Sequence, residues 1–169
     1  MSDLTDSSKE VFMATTVKPI PDGYHSVTPY LCIKGAAAAI DFYKSAFGAK
    51  EIMRMPQPDG RVGHAEIQIG DSRVMMADEF PEMDFRAPQS YGGSPVHLHV
   101  YVEDVDTVFT QALAAGGKEV RPVQDQFYGD RLGTVADPFG HVWHLSTHTE
   151  DLKPEEIRKR AAAMHKTKG

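Results

Sequence analysis

The chain has 169 residues, 41% apolar and 25% charged, which suits one globular domain or two small modules sharing a core. Its formal net charge of −6 argues against a general nucleic-acid binder, because phosphate contacts need a basic surface. No apolar run approaches the ~20 residues of a membrane span.

The opening, from Met1 to Lys18, is rich in Ser, Thr and Asp, and residues 1–22 are expected to form a flexible extension. It lacks the basic start and apolar block of a secretory signal. The single cysteine, Cys32, allows no internal disulfide and fits a reducing cytoplasm.

A first unit, residues 23–80, opens with a strand pattern from Thr28 to Gly35, in which Leu31 and Ile33 share one face and Tyr30 and Cys32 the other. Ala36, Ile40, Tyr43 and Phe47 then recur at helical spacing, and Gly48 stands where a helix C-cap belongs. After a turn at Pro56–Gly60, the stretch from His64 to Ile69 alternates. Ala65, Ile67 and Ile69 make an apolar face, while His64, Glu66 and Gln68 make a polar one. Gly70-Asp71 turns into a last strand, Arg73 to Ala77. Residues 81–95, carrying Pro81, Pro88, Gly92, Gly93 and Pro95, read as a linker.

A second unit, residues 96–148, repeats the first at an offset of roughly 68–69 residues. Leu98, Val100 and Val102 form the apolar face of its opening strand; His97, His99 and Tyr101 form the polar face. Asp104 is the expected N-cap of a helix bearing Val105, Phe109, Ala112 and Leu113, and Gly116-Gly117 its end. Tyr128-Gly-Asp-Arg131 leads into a strand up to Ala136. Asp137-Pro-Phe-Gly140 then turns into a last strand in which His144 points opposite to Trp143 and Leu145. Arg131 either anchors an anionic group or pairs with Asp130 or Asp137. Residues 149–169 read as a helical tail that starts at Pro154 with Glu155 and Glu156. Each unit is thus β-α-β-β-β, an α+β pattern. Polar strand faces that carry histidine point to a cleft for a small polar molecule rather than a plain solvated surface.

These motifs resemble the vicinal oxygen chelate superfamily, which holds glyoxalase I, bleomycin-resistance proteins and extradiol dioxygenases. The matching residues are Ala39 to Lys44 with Phe47-Gly48-Ala49, Gly63 to Ile67, and Asp137 to His141. Tyr128 to Arg131 and Thr147 to Leu152 resemble the PhnB-like branch. The resemblance implies two βαβββ modules forming a curved mixed sheet around a cleft, and a homodimer, for which the tail helix and long linker offer material to exchange. It also implies a divalent metal (Zn, Ni, Fe or Mn) on four strand positions, which fall here on Thr28, His97, about Met75, and His144.

A glyoxalase-type reaction needs an open cation site and a carboxylate base. Three protein ligands are the usual minimum. The last-strand positions carry Met75 and His144 in place of the expected carboxylates, and Glu66 is the one acid on the same polar face. Two readings therefore stand. In the first, the protein binds a small polar molecule through Thr28, Tyr30, His64, Glu66, Met75, His99, Tyr101 and Arg131. In the second, it is a metal-dependent lyase, isomerase or dioxygenase acting through His97 and His144, with Glu66 and His99 as catalytic candidates.

Overall fold

The computed structural model describes residues 17–166. The first module contains β1 (Tyr30–Ile33), α1 (Ala36–Phe47), β2 (Lys50–Pro56), β3 (Val62–Ile69) and β4 (Ser72–Asp78). The second contains β5 (His97–Tyr101), α2 (Val105–Ala114), β6 (Lys118–Asp125), β7 (Asp130–Ala136) and β8 (Val142–His148), and is followed by α3 (Pro154–Lys166). Of the proposed N-terminal extension, positions 1–16 lie outside the described residues. The linker carries two 3₁₀ turns, Pro81–Met83 and Pro88–Tyr91.

The strands form two four-stranded mixed sheets, ordered β1-β4-β3-β2 and β5-β8-β7-β6. In each, the first and last strands of the module run parallel and the other pairs run antiparallel. The rungs repeat as well. Tyr30 lies beside Met75 and Met75 beside Glu66; His99 lies beside His144 and His144 beside Thr134.

Helix ends explain the local geometry. Gly48 caps α1 at φ 64°, in the left-handed region, with its N–H bonded to Lys44 O. Asp104 caps α2 by accepting from Thr107 N–H. The far end of α2 differs from the glycine cap expected there: Ala115 is the cap, in right-handed geometry. Gly117 instead allows a close approach, since a Cβ there would sit 2.7 Å from Ala112 O. Each helix start is also tied to the last strand of its module. Asp78 accepts from the N–H groups of Gly35, Ala36 and Val62 at 2.8, 2.9 and 2.7 Å. Thr147, at the matching rung, accepts from Val105 N–H at 2.9 Å.

One hydrophobic cluster spans both modules. It includes Leu31, Ile33, Tyr43 and Met76 from the first and Phe109, Val135, Trp143 and Leu145 from the second. Helix α1 packs on α2, and the rings of Tyr43 and Phe47 lie 5.2 and 4.9 Å from that of Trp143. Burial of each such side chain contributes about 1.5–3 kcal/mol.

The Asp137 turn is the polar centre of this joint. Its buried carboxylate accepts from Tyr43 Oη at 2.7 Å, from Trp143 Nε1 at 2.9 Å, and from the N–H groups of Phe139 and His141. Burial, then Asp137, pushes the Tyr43 hydroxyl well above its ordinary value. The buried His141 ring lies 3.1 Å from Cys32 O and so joins the turn to β1. Because both apolar faces meet in this core, the two polar faces turn outward. No helix among the described residues is long and apolar enough to cross a membrane.

Candidate functional site

The polar face of the second sheet gathers His97, His99 and Tyr101 from β5, His144 from β8 and Thr134 from β7. Strand alternation places them there, with Leu98, Val100, Trp143 and Leu145 turned to the core. His97 Nδ1 is 3.0 Å from His144 Nε2, and His144 Nδ1 is 2.8 Å from Thr134 Oγ1. The His99 ring is 5.9 Å from His144 and 4.9 Å from Tyr101. Burial lowers the pKa of His144, and so do His97, His99 and Arg121, which all disfavour a further positive charge.

A cavity of about 330 Å³ opens beside this cluster, lined by His99, Arg121, Gln124, Tyr128, Leu132 and His144 among others. Arg54, Arg61, Arg86, Arg131 and Arg160 each form an ion pair. Arg121 has no carboxylate within ion-pair distance among the described residues.

A polar network extends from the same face. Tyr101 Oη donates to Asp130 Oδ2 at 2.9 Å, and His148 Nδ1 lies 2.7 Å from Asp130 Oδ1. His148 Nε2 is 2.9 Å from Asp151. Asp130, then Asp151, raises the pKa of His148. Tyr101 is also raised, chiefly by its bond to Asp130.

The first sheet presents different chemistry at the same rungs. Tyr24 Oη donates to Glu66 Oε2, His64 Nε2 is 3.1 Å from Glu66 Oε1, and Tyr30 Oη is 3.0 Å from His64 Nδ1. The bond from Tyr24, supported by His64, holds the Glu66 carboxyl below its usual range. A cavity of about 530 Å³ lies where Pro19, Ile20, Tyr24 and His25 pass over Thr28, Glu66 and Met75.

A model of the Glyoxalase/Bleomycin resistance protein/Dioxygenase superfamily matches residues 23–145. The chain belongs to that superfamily. An uncharacterized protein of Mycobacterium tuberculosis is 43% identical to it over 149 residues, covering 86% of this chain and 84% of that protein. Among solved structures, TioX from Micromonospora sp. ML1 is similar at TM-score 0.59 and 26% identity, over 76% of this chain and 100% of TioX. A PhnB protein of Bacillus cereus shares the fold at TM-score 0.56 and 23% identity, over 73% of this chain and 99% of its own. The expected α+β fold of paired βαβββ modules holds for this superfamily member.

The four metal positions implied by the resemblance divide between the sheets. His97 and His144 sit together on the second sheet, but one nitrogen of each is engaged in the bond between them. The other His144 nitrogen meets Thr134. Thr28 precedes β1, and Met75 lies on β4 of the other sheet. Both Glu66 oxygens are occupied by Tyr24 and His64. Among the described residues no three His, Cys, Asp or Glu side chains converge as a metal-binding group. Two imidazoles, a hydroxyl and a thioether do not fit a catalytic divalent centre, which takes three protein ligands.

Of the proposed ligand-binding residues, Tyr30, His64, Glu66 and Met75 share the first polar face, and His99 and Tyr101 share the second. Thr28 borders the first from just ahead of β1. Arg131 requires correction. It alternates with Leu132 toward α2, where Nε and Nη2 pair with Asp106 at 2.7 and 2.8 Å and Nη1 with Asp125 at 3.0 Å. It meets neither Asp130 nor Asp137, and Arg121 rather than Arg131 borders the cavity beside His144. The Cys32 thiol is pushed up to about 11 by burial and then by Glu79 and Asp78, which favours the protonated, less nucleophilic form.

The sequence did not point to Arg121, Tyr128 or Tyr24. Register shifts on both sides of Arg121 break the alternation of β6, so its phase could not be read. Tyr24 reaches its place from a segment outside any strand.

Proposed function

We propose that this protein binds a small polar molecule with an anionic group, a carboxylate or phosphate, on the histidine face of the second sheet. The observation that carries the reading is an arginine at a cavity with no carboxylate within ion-pair distance among the described residues. Arg121 borders a cavity of about 330 Å³ together with His99, His144 and Tyr128. A guanidinium beside imidazole and phenol groups offers charge-assisted hydrogen bonds to an oxyanion. The reading routes no step through a divalent metal. Four strand edges unpaired among the described residues, β1, β2, β5 and β6, and two outward polar faces support a homodimer in which the faces become enclosed. One cysteine in 169 residues suits a reducing, cytoplasmic setting.

Calorimetric titration with inorganic phosphate and with benzoate tests the site. Saturable binding that Arg121→Ala weakens supports it; equal affinity in both proteins defeats it. Titration with Zn, Ni, Fe and Mn addresses the metal separately: stoichiometric uptake that His97→Ala abolishes would contradict the metal-free reading. Light scattering should give twice the 18.7 kDa chain mass.

A further inference from the structure

A further, chemically distinct cavity of about 570 Å³ lies on the first sheet, lined by Tyr30, Gln57, Ala77, Phe80, Met83 and Phe85 among others. Its wall is a built feature. Phe80 and Phe85 exchange backbone hydrogen bonds of 2.7 and 3.2 Å, the Arg61 guanidinium lies 4.1 Å over the Phe80 ring, and Phe85 meets the Tyr30 ring edge-on at 6.0 Å. Tyr30 is 48% exposed and lines this cavity.

The hydrogen bonds behind Tyr30 take their direction from the Glu66 carboxylate and a neutral His64 ring. Glu66 is ionised and can only accept, and Tyr24 already donates to Oε2. His64 Nε2, facing Oε1, must therefore carry a hydrogen. Where the His64 ring is neutral, Nδ1 is then an acceptor, and among the described residues the hydrogen that meets it at 3.0 Å is that of the Tyr30 hydroxyl. Burial, then Cys32, raises the pKa of Tyr30, so the hydroxyl keeps this proton. Tyr30 thus spends its one donor on His64 and turns only lone pairs toward the cavity.

We propose that this cavity binds a compact, largely apolar molecule, aromatic or alicyclic, that donates a hydroxyl hydrogen to the Tyr30 oxygen. The walls take the ring and the Glu66–His64–Tyr30 chain selects the donor. A ketone, ether or carboxylate meets lone pair against lone pair. It can bond the Tyr30 oxygen only if Tyr30 abandons His64 Nδ1, which leaves a polar group unpaired; the Gln57 amide is the other polar side chain on the cavity wall. Tyr30 is the ligand-contacting residue; His64 and Glu66 are positioning residues. The site is independent of the anion site on the other sheet.

Fluorescence titration with 2-naphthol and 2-methoxynaphthalene isolates the donor, because the two probes differ by one methyl group on oxygen. The native protein should bind 2-naphthol about tenfold more tightly, the value of one well-made hydrogen bond. In Tyr30→Phe the ratio should fall to about one while 2-methoxynaphthalene binding persists. Phe85→Ala should weaken both probes together. Equal affinities in the native protein, no saturable binding of either probe, or a preference that survives Tyr30→Phe would each overturn the proposal. The native comparison stands even if a variant folds poorly.

Discussion

The polar faces of the two sheets use the same backbone rungs for opposite purposes. On the first, Tyr30, Met75 and Glu66 stand in line, and the carboxylate is saturated by Tyr24 and His64. On the second, the same line reads His99, His144 and Thr134, with no acid among them and a cation beside them. The apolar faces behind them stay alike in kind, Leu31 and Met76 against Val100 and Leu145, because both must fill one shared core. A repeated framework therefore fixes where side chains stand, and each face is free to differ in what it presents.

The largest expected effect comes from the one joint that has no counterpart in the first module. Asp137→Ala leaves the Tyr43 hydroxyl, the Trp143 indole N–H and two backbone N–H groups without their acceptor. Unfolding in urea should show a loss of about 3 kcal/mol or more. A loss below 1 kcal/mol would mean that the modules do not depend on this joint.

Next come the two helix supports. Asp78→Ala removes the acceptor of three backbone N–H groups and should cost about 2–3 kcal/mol, whereas Thr147→Val removes one and should cost about 1 kcal/mol. Equal losses in the same urea assay would break the comparison between the supports.

The two arginines of the second module should separate cleanly by ligand titration. Arg121→Ala is expected to weaken phosphate or benzoate binding by about tenfold or more. Arg131→Ala, on the far side of the sheet, should leave that affinity unchanged.

The smallest effect is a difference in titration within one face. By NMR, His144 should titrate below about 6.5 and His148 above it. The signs are opposite. His148, raised in the fold, contributes stability that is fully present below about pH 6.5 and lost as pH rises through its folded value. His144, depressed in the fold, contributes stability that is present above about pH 6.5 and lost as pH falls toward its folded value. His97→Ala should raise His144 by removing a neighbouring imidazole. A reversed order of the two histidines would refute the electrostatic picture of this face.

Much of the framework was legible because it depends on local period and local chemistry. Alternation placed His144 opposite Trp143 and Leu145, and Gly48 and Asp104 announced helix ends. The orientation of Arg131 was also available, since it shares a phase with Val135, but its partner Asp106 lies on a helix 25 residues away. Arg121 was hidden by the bulges of β6. Tyr24 was hidden because a loop has no period.

By itself the sequence determined two βαβββ units, their apolar faces and the histidine-bearing polar faces, since these follow from side-chain alternation and helical spacing within a few residues. Only the tertiary structure decided that the apolar faces meet in one core and the polar faces turn outward. It alone decided that Asp137 joins the modules rather than pairing with an arginine, and that Glu66 is held by Tyr24 and His64. Those outcomes depend on which distant donors arrive at a given oxygen, and that is a property of packing rather than of spacing along the chain.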